Sequence, residues 1–259
     1  GETADTLAAM REAKRRGAKV LAITNVVGSS VAREADWVMM TMAGPEIAVA
    51  STKAYTAMLI TFYLLGLFFA QSLETVGADE IAEVLEAMRR LPGQAEALLA
   101  QAERVRGLAE RLAGTEHLFY IGRGLDYASA VEGSLKLKEI SYIHSEAYAA
   151  GELKHGTLAL ITEGTPVVAL ASQEALFEKT LSNVVEVKAR GAWVLGIANE
   201  GHEELAKTAD EMLYVPRTHP LLTPALTAIP LQLLAYYVSL ARGNDVDKPR
   251  NLAKSVTVE

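Results

Sequence analysis

The stretch from Lys136 to Gly156, which reads KLKEISYIHSEAYAAGELKHG, concentrates side chains that can move protons. Lys136 and Glu139 are three residues apart, so on a helix they share one face. His155 follows Gly151, which predicts a break between two elements. A carboxylate, an ammonium and an imidazole in one stretch favour acid–base chemistry on a small polar substrate. The alternative is a solvated amphipathic helix and a loop, because runs of charge usually lie on surfaces.

The composition limits the class of protein. The chain has 259 residues, of which 50% are hydrophobic and 22% charged, so it is a globular chain long enough for one large or two ordinary domains. A net charge of −7 argues against nucleic acid as the main partner. The chain has no cysteine and opens on GETADT without a signal-peptide pattern, so we expect a cytoplasmic location and no cysteine chemistry.

Two apolar segments are long enough to need a comparison with membrane spans. Ala54–Ala70 is near the short limit for crossing a bilayer, and Pro220–Leu240 contains Pro224, Pro230 and several hydroxyl groups. We predict that both are helices buried in a core or at a subunit interface, with no membrane involved.

Short apolar runs alternate with helical patterns along the chain. The runs at Lys19–Asn25 and His117–Gly122 are almost unbroken, which is typical of parallel strands covered on both faces. A helix is predicted from Asp126 to about Ile140, and it carries the lysine and glutamate described above. Two amphipathic helices, split at Leu91–Gly93, are predicted to connect two α/β units.

The chain repeats itself. AKRRGAKVLAITN at Ala13–Asn25 matches VKARGAWVLGIAN at Val187–Asn199 with eight identities in thirteen positions. The same spacing continues without a gap to Ala35-Asp36 and Ala209-Asp210. We therefore predict two tandem α/β units of one topology, each a parallel sheet with helices on both sides.

The two copies differ in what precedes them. The second copy is preceded by the strands and helix of His117–Ser172, and nothing before Gly1 corresponds to that segment. A parallel sheet without its first strands exposes unpaired edges, so we expect a truncated first copy and a chain that is part of a longer polypeptide. The expected domains are residues 1–76 and 77–244, followed by an irregular tail at 245–259.

Three segments together resemble the glucosamine-6-phosphate synthase family. They are KLKEISYIHSEAYAAGELKHG, the AGPEIAVASTKAY segment at Ala43–Tyr55, and the terminal DVDKPRNLAKSVTVE. The resemblance is to the isomerase half of that family, which consists of two sugar-isomerase (SIS) domains, and it covers essentially the whole chain. It implies conversion of fructose 6-phosphate and ammonia into glucosamine 6-phosphate by a homodimer, without a cofactor or metal.

The resemblance also implies roles for single residues. Lys254 forms a Schiff base with the sugar, and Glu139 moves a proton between C1 and C2. His155 helps to open the sugar ring in the site of the neighbouring subunit. Lys136 assists Glu139.

Four further positions are implied to contact the substrate. Thr3 belongs to a loop that holds the phosphate, a role that suits the amino end of a helix. Val49, Ser51 and Ala253 line the sugar site. The alternatives are a helix cap at Thr3, a cap of the apolar helix at Ser51, and a plain solvated tail around Lys254.

The resemblance leaves parts of the family's machinery unaccounted for. Most of the phosphate loop and the glutamine-hydrolysing domain have no counterpart in this sequence, so we expect at most isomerisation or the use of free ammonia. Another SIS isomerase or deaminase, or a sugar-phosphate-sensing module, is the rival interpretation, and the NLAKSVTVE tail argues against both. His144, Glu146 and Glu152 are interpreted as structural or interface residues, and no metal site is predicted.

Overall fold

The computed structural model describes residues 1–257, so the last two residues of the predicted tail, Val258 and Glu259, lie outside the described part. The helices are α1 (Ala4–Arg15), α2 (Ser30–Glu34), α3 (Lys53–Ser72), α4 (Ala78–Leu99), α5 (Ala102–Leu112), α6 (Leu125–Ser141), α7 (Phe177–Lys188), α8 (Glu203–Ala206) and α9 (Thr223–Ala241). The strands are β1 (Leu21–Thr24), β2 (Trp37–Met40), β3 (His117–Gly122), β4 (His144–Ala149), β5 (Pro166–Ala171), β6 (Trp193–Asn199) and β7 (Glu211–Val215). Short 3-10 segments lie at Ala150–His155, Thr157–Leu160, Glu174–Leu176 and Pro220–Leu222.

The chain divides into two compact units. The first unit contains Gly1–Ile81 and the tail from Asp247 onward, and the second contains Ala82–Val246. The tail packs within the first unit, since the Val49 N–H donates to the Asp247 carbonyl at 3.0 Å and the Ala4 N–H donates to the Val256 carbonyl at 2.9 Å.

The second unit is built on a five-stranded parallel sheet in the order β4-β3-β5-β6-β7. Every residue of β5 and β6 is buried, and β3, whose apolar run predicts a covered strand, is buried at every position after His117. Phe119 and Ile121 of β3 face α7 in one apolar core. Tyr120, between them, faces α6 on the opposite side of the sheet, where it lies next to Gly133.

The first unit is smaller and repeats part of that plan. Strands β1 and β2 form a parallel pair, with Leu21 opposite Trp37. Its described core consists of Leu7, Met10, Ala22 and Val31. The repeat is confirmed element by element: α1, β1, α2 and β2 follow one another as α7, β6, α8 and β7 do in the second unit.

The two apolar helices have different environments. Helix α9 is mostly buried and packs against α5 and α6, as predicted for a core helix. In α3 only Thr61 is buried within this chain, so the prediction of a core helix is wrong there, and a subunit interface stays a prediction. By length and apolarity Lys53–Ser72 and Pro220–Ala241 also satisfy the criteria for a membrane span, with 11% and 67% of their apolar windows buried. Because core helices satisfy the same criteria, this is weak evidence for a membrane.

Two elements differ from the predictions. Helix α4 continues through Pro92, where a break was expected, because Val84 and Ala87 before the proline and Leu98 after it all bury on one face. The segment His144–Ala149 forms the edge strand β4, although its polar sequence HSEAYA gives little strand signal. Hydrogen bonding to β3 decides its conformation.

Candidate active site

Helix α6, which carries the acid–base residues, begins immediately after β3. A Cβ on Gly122 would lie 2.6 Å from the Asp126 carbonyl carbon, so only glycine allows this sharp entry into the helix. The helix ends at Tyr142, which adopts a left-handed conformation with φ 63°.

Lys136 lies between two carboxylates on α6. Its ammonium is 2.6 Å from Glu139 Oε2 and 3.7 Å from Glu132 Oε1, and its side chain is only 6% exposed. The two facing oxygens are buried and have no further hydrogen-bond partner among the described residues. The predicted pairing of Lys136 with Glu139 is thus present, and it is shielded from water, where electrostatic interactions are stronger.

Glu132 is a site residue that the sequence reasoning missed. Burial raises the pKa of Glu132 to about 7 and the adjacent Glu139 adds to the shift, while Lys136 opposes it. Below that pH Glu132 holds a proton, and Glu139 is the carboxylate paired with the lysine. The available signal was the spacing, because Glu132 precedes Lys136 by four residues and so lies on the same helix face.

His155 ends the 3-10 segment Ala150–His155, in the same unit as α6. Its side chain is 75% exposed, and its ring lies 3.8 Å from Glu152. Among residues 1–257, no hydrogen bond or ion pair joins His155 to Glu139 or Lys136. The imidazole is therefore accessible from outside its own unit.

Lys254 is held in place within the first unit. Its ammonium donates to the Ala48 carbonyl at 2.6 Å and lies 3.5 Å from Glu46 Oε2. These contacts argue against a plain solvated tail around Lys254, although its side chain is 43% exposed. The lysine lies beside the AGPEIAVASTKAY segment, which the resemblance assigned to the sugar site.

Glu46 is the second residue that the sequence reasoning missed. Its carboxylate accepts the N–H groups of Thr52 at 2.8 Å and Ala54 at 3.4 Å, so it caps α3. Burial alone would raise the pKa of Glu46, but these N–H groups and Lys254 lower it. Because Glu46 and not Ser51 supplies the cap, the capping alternative for Ser51 is wrong.

The four predicted substrate positions all lie in the first unit. Thr3 occupies the N-cap position of α1, yet its side chain makes no capping hydrogen bond. The hydroxyl is thus available for another acceptor. Val49 and Ser51 belong to the segment that contacts Lys254, and Ala253 precedes that lysine in the tail.

In residues 1–257, no group of three or more histidine, cysteine, aspartate or glutamate side chains is arranged to hold a metal ion. His144 contacts His117, with their Nδ1 atoms 3.4 Å apart, and Glu146, at 3.8 Å. Both histidines lie opposite each other on β3 and β4. Their contact joins neighbouring strands.

Comparison with known proteins identifies the family. The SIS domain family model matches residues 1–67 and 111–242, which is most of the chain. Curated relatives match over the entire chain: glutamine–fructose-6-phosphate aminotransferase [isomerizing] from Symbiobacterium thermophilum is 62% identical, and that from Clostridium tetani is 60% identical. The chain spans 42% and 43% of the length of these two relatives.

A solved structure agrees with the same assignment. The C-terminal domain of glucosamine-fructose-6-phosphate aminotransferase from Francisella tularensis superposes with a TM-score of 0.92 at 40% identity, covering 96% of this chain and 71% of that one. Both the fold and the sequence are therefore similar over nearly the whole chain. The chain belongs to the SIS family and, within it, to the C-terminal domains of the glucosamine-fructose-6-phosphate aminotransferases.

Proposed function

We propose that this chain is the isomerase part of a glutamine–fructose-6-phosphate aminotransferase. It converts fructose 6-phosphate and ammonia into glucosamine 6-phosphate. The observation that carries the proposal is the position of Lys254, which the first unit holds against Ala48 and Glu46. A module that only senses sugar phosphates has no need of an ordered lysine amine, which is the group that forms imines with carbonyl substrates.

The first half of the reaction is imine formation. The Lys254 amine attacks C2 of the open-chain ketose, and the carbonyl oxygen leaves as water. Ammonia then displaces the lysine, so that C2 carries the incoming nitrogen. The attacking form is the neutral amine, whose two N–H hydrogens leave with the carbonyl oxygen as water. Before the reaction, Glu46 and the Ala48 carbonyl accept hydrogen bonds from the Lys254 nitrogen and hold it in place.

The second half is proton transfer. Glu139 takes a proton from C1 and returns it to C2, while the C1 hydroxyl loses its proton and the imine nitrogen at C2 gains one, which leaves an aldehyde at C1 and an amine at C2. Lys136 neutralises the carboxylate between transfers, because its ammonium is 2.6 Å away in a buried setting. Burial raises the pKa of Glu132, which favours its neutral form and so limits the negative charge around the lysine.

The remaining predicted residues bind the substrate and open its ring. We assign the phosphate to the amino end of α1, because the Thr3 hydroxyl makes no capping hydrogen bond there and the helix dipole favours an anion. Val49, Ser51 and Ala253 line the sugar. His155 promotes ring opening in the neighbouring subunit of a homodimer, which suits its 75% exposed side chain.

The proposal extends to the rest of the protein and its surroundings. The curated relatives are more than twice as long as this chain, and we assign the hydrolysis of glutamine to the part of the protein outside it. The enzyme works in the cytoplasm on a small phosphorylated sugar, without nucleic acid, membrane, metal or cofactor.

Borohydride trapping tests the proposal. Full-length protein is incubated with fructose 6-phosphate and ammonia, reduced, and digested for mass spectrometry. We expect a reduced sugar adduct on Lys254 in the wild type, none in Lys254→Ala, and an unchanged yield in Lys207→Ala.

Glu139→Gln should still be labelled but should lose exchange of the C1 proton with solvent. Normal substrate binding without label at Lys254 would refute the imine, and retained exchange in Glu139→Gln would place the base elsewhere.

A further inference from the structure

The 3-10 segment that ends at His155 is seated on α7. Its side chains Ala150 and Leu153 are fully buried and belong to one apolar core with Val184 and Val187 of α7. These contacts fix the depth of the segment against the helix, since both aliphatic side chains point into it. These apolar contacts do not orient the exposed imidazole of His155, so its direction depends on the polar groups around it.

A chain of polar contacts runs from the end of β3, across α7, to the residue beside His155. The guanidinium of Arg123 donates to Asn183 Oδ1 at 2.9 and 3.1 Å, and Asn183 is only 3% exposed. Asn183 Nδ2 donates to Glu186 Oε2 at 3.3 Å. Glu186 Oε1 in turn lies 2.8 Å from Lys154 Nζ.

Asn183 and Glu186 are three residues apart and share one face of α7. Burial alone would raise the pKa of Glu186, but Lys154 and Asn183 lower it, so this carboxylate is charged at neutral pH. The hydrogen bonds of Asn183 to the Arg123 guanidinium and the Glu186 carboxylate are stronger than bonds between neutral groups, because each has one ionised partner. Asn183 is also buried, so water does not compete for them.

Gly151 explains how the segment approaches so closely. A Cβ at this position would lie 3.1 Å from both Nη atoms of Arg123, which is tighter than an ordinary contact. The glycine that predicts a break in the sequence is therefore also the residue that lets the segment lie directly on the Arg123 guanidinium.

We propose that the Arg123–Asn183–Glu186–Lys154 chain is a positioning device for His155. Its members do not touch the substrate; they set the direction of the imidazole through the neighbouring Lys154. His155 has little of its own to hold it, because its ring contacts Glu152 only at 3.8 Å. This inference rests on the proposed role of His155 in ring opening.

The experiment measures coupling to His155 in the full-length protein. Lys154→Met and Asn183→Leu are each made alone and together with His155→Ala, and kcat and KM are measured with fructose 6-phosphate and saturating ammonia. We expect each single variant to lower kcat about tenfold with KM little changed, since a misplacement of about 1 Å costs on the order of 100-fold and a smaller one costs less. In the His155→Ala background neither substitution should lower kcat further.

Two controls separate positioning from general damage. Lys154→Arg keeps the ion pair to Glu186 and should retain most of the activity. Lys188→Met removes a comparable ion pair on the same helix, 2.7 Å from Asp210, and should leave kcat unchanged. If Asn183→Leu fails to fold, Gly151→Ala disturbs the same chain from the Arg123 side and takes its place.

The outcomes distinguish the positioning inference from the proposed role of His155 in ring opening. Loss of kcat by the same factor with and without His155, or no loss in the single variants, overturns the positioning inference while the proposed function stands. Full activity of His155→Ala instead refutes the role of His155 itself, and the positioning inference falls with it.

Discussion

In both repeated units an aspartate accepts a backbone N–H at the start of the first matching strand and forms an ion pair with a lysine. In the first unit the Asp36 carboxylate accepts the Val20 N–H at 2.9 Å and lies 3.6 Å from Lys14. The aspartate thereby joins the end of α1 to the beginning of β1 and β2.

In the second unit Asp210 accepts the Val194 N–H at 2.7 Å and lies 2.7 Å from Lys188. All three residues occupy positions equivalent to those in the first unit, at the same spacing in the chain. The repeat has thus kept a specific set of contacts as well as a fold.

The units differ in how their long apolar helix is covered. Helix α9 packs under α5 and α6, whereas the described residues of the first unit include no helices that cover α3 in this way. The two helices have the same apolar character, so the difference in burial comes from their neighbours. Apolar composition makes a helix able to be buried, and the surrounding elements decide whether it is.

The largest expected effect is that of truncating a buried side chain in α9, compared with an exposed one in α3. Leu234 of α9 is fully buried, so Leu234→Ala should lower the free energy of unfolding by about 2–5 kcal/mol. Phe62 of α3 is 58% exposed, so Phe62→Ala should change it by less than about 0.5 kcal/mol. Urea denaturation of the chain measures both. A cost for Phe62→Ala near that of Leu234→Ala would mean that α3 is covered in solution, as a subunit interface requires.

An intermediate effect is expected at Glu132, on the helix that covers α9. Its pKa is raised from 4.5 to about 7, so the folded state favours the protonated form, and this contribution is lost as pH rises through that window. Glu132→Gln should therefore gain stability relative to the wild type between pH 4.5 and 7, by on the order of 1–3 kcal/mol. Unfolding free energies at several pH values test this, with the exposed Glu178→Gln as control. A difference that does not depend on pH would contradict the assignment.

The smallest effect should come from the shared aspartates. The Val20 N–H and Lys14 lower the pKa of Asp36. Burial alone would raise the pKa of Asp210, but Lys188 and the Val194 N–H lower it. The stabilisation is present above the unfolded-state pKa of about 3.9 and is lost as pH falls through the lower folded-state value.

Asp36→Asn and Asp210→Asn should therefore each lower the midpoint of thermal unfolding at pH 7 and approach the wild type at low pH. The change should be larger for Asp210, whose ion pair is shorter. Opposite pH trends in the two variants would show that the repeated contacts are not equivalent.

The site was predictable where chemistry depends on local spacing. Lys136 and Glu139 face each other because residues three apart on a helix must do so, and the helix itself followed from its pattern. Glu132 lies at an equally predictable position, but its raised pKa depends on burial that the surrounding elements create. The contact of Glu46 with Lys254 was not predictable, since it joins residues far apart in the chain. Its cap of α3 is a short-range contact with Thr52 that the sequence reasoning missed.

By itself, the sequence determined the two-fold repeat, the parallel sheets and the face of α6 that carries the acid–base residues. The repeat follows from comparing two segments of the chain, and the sheets and the helix face follow from periodicity and short-range spacing, which are properties of the local chain. Only the tertiary structure decided that α4 passes through Pro92, that His144–Ala149 is a strand, that α3 is uncovered in this chain, and that the tail holds Lys254 against Ala48. Each of these depends on contacts between distant segments, whose free energy outweighs the local preference of the residues involved.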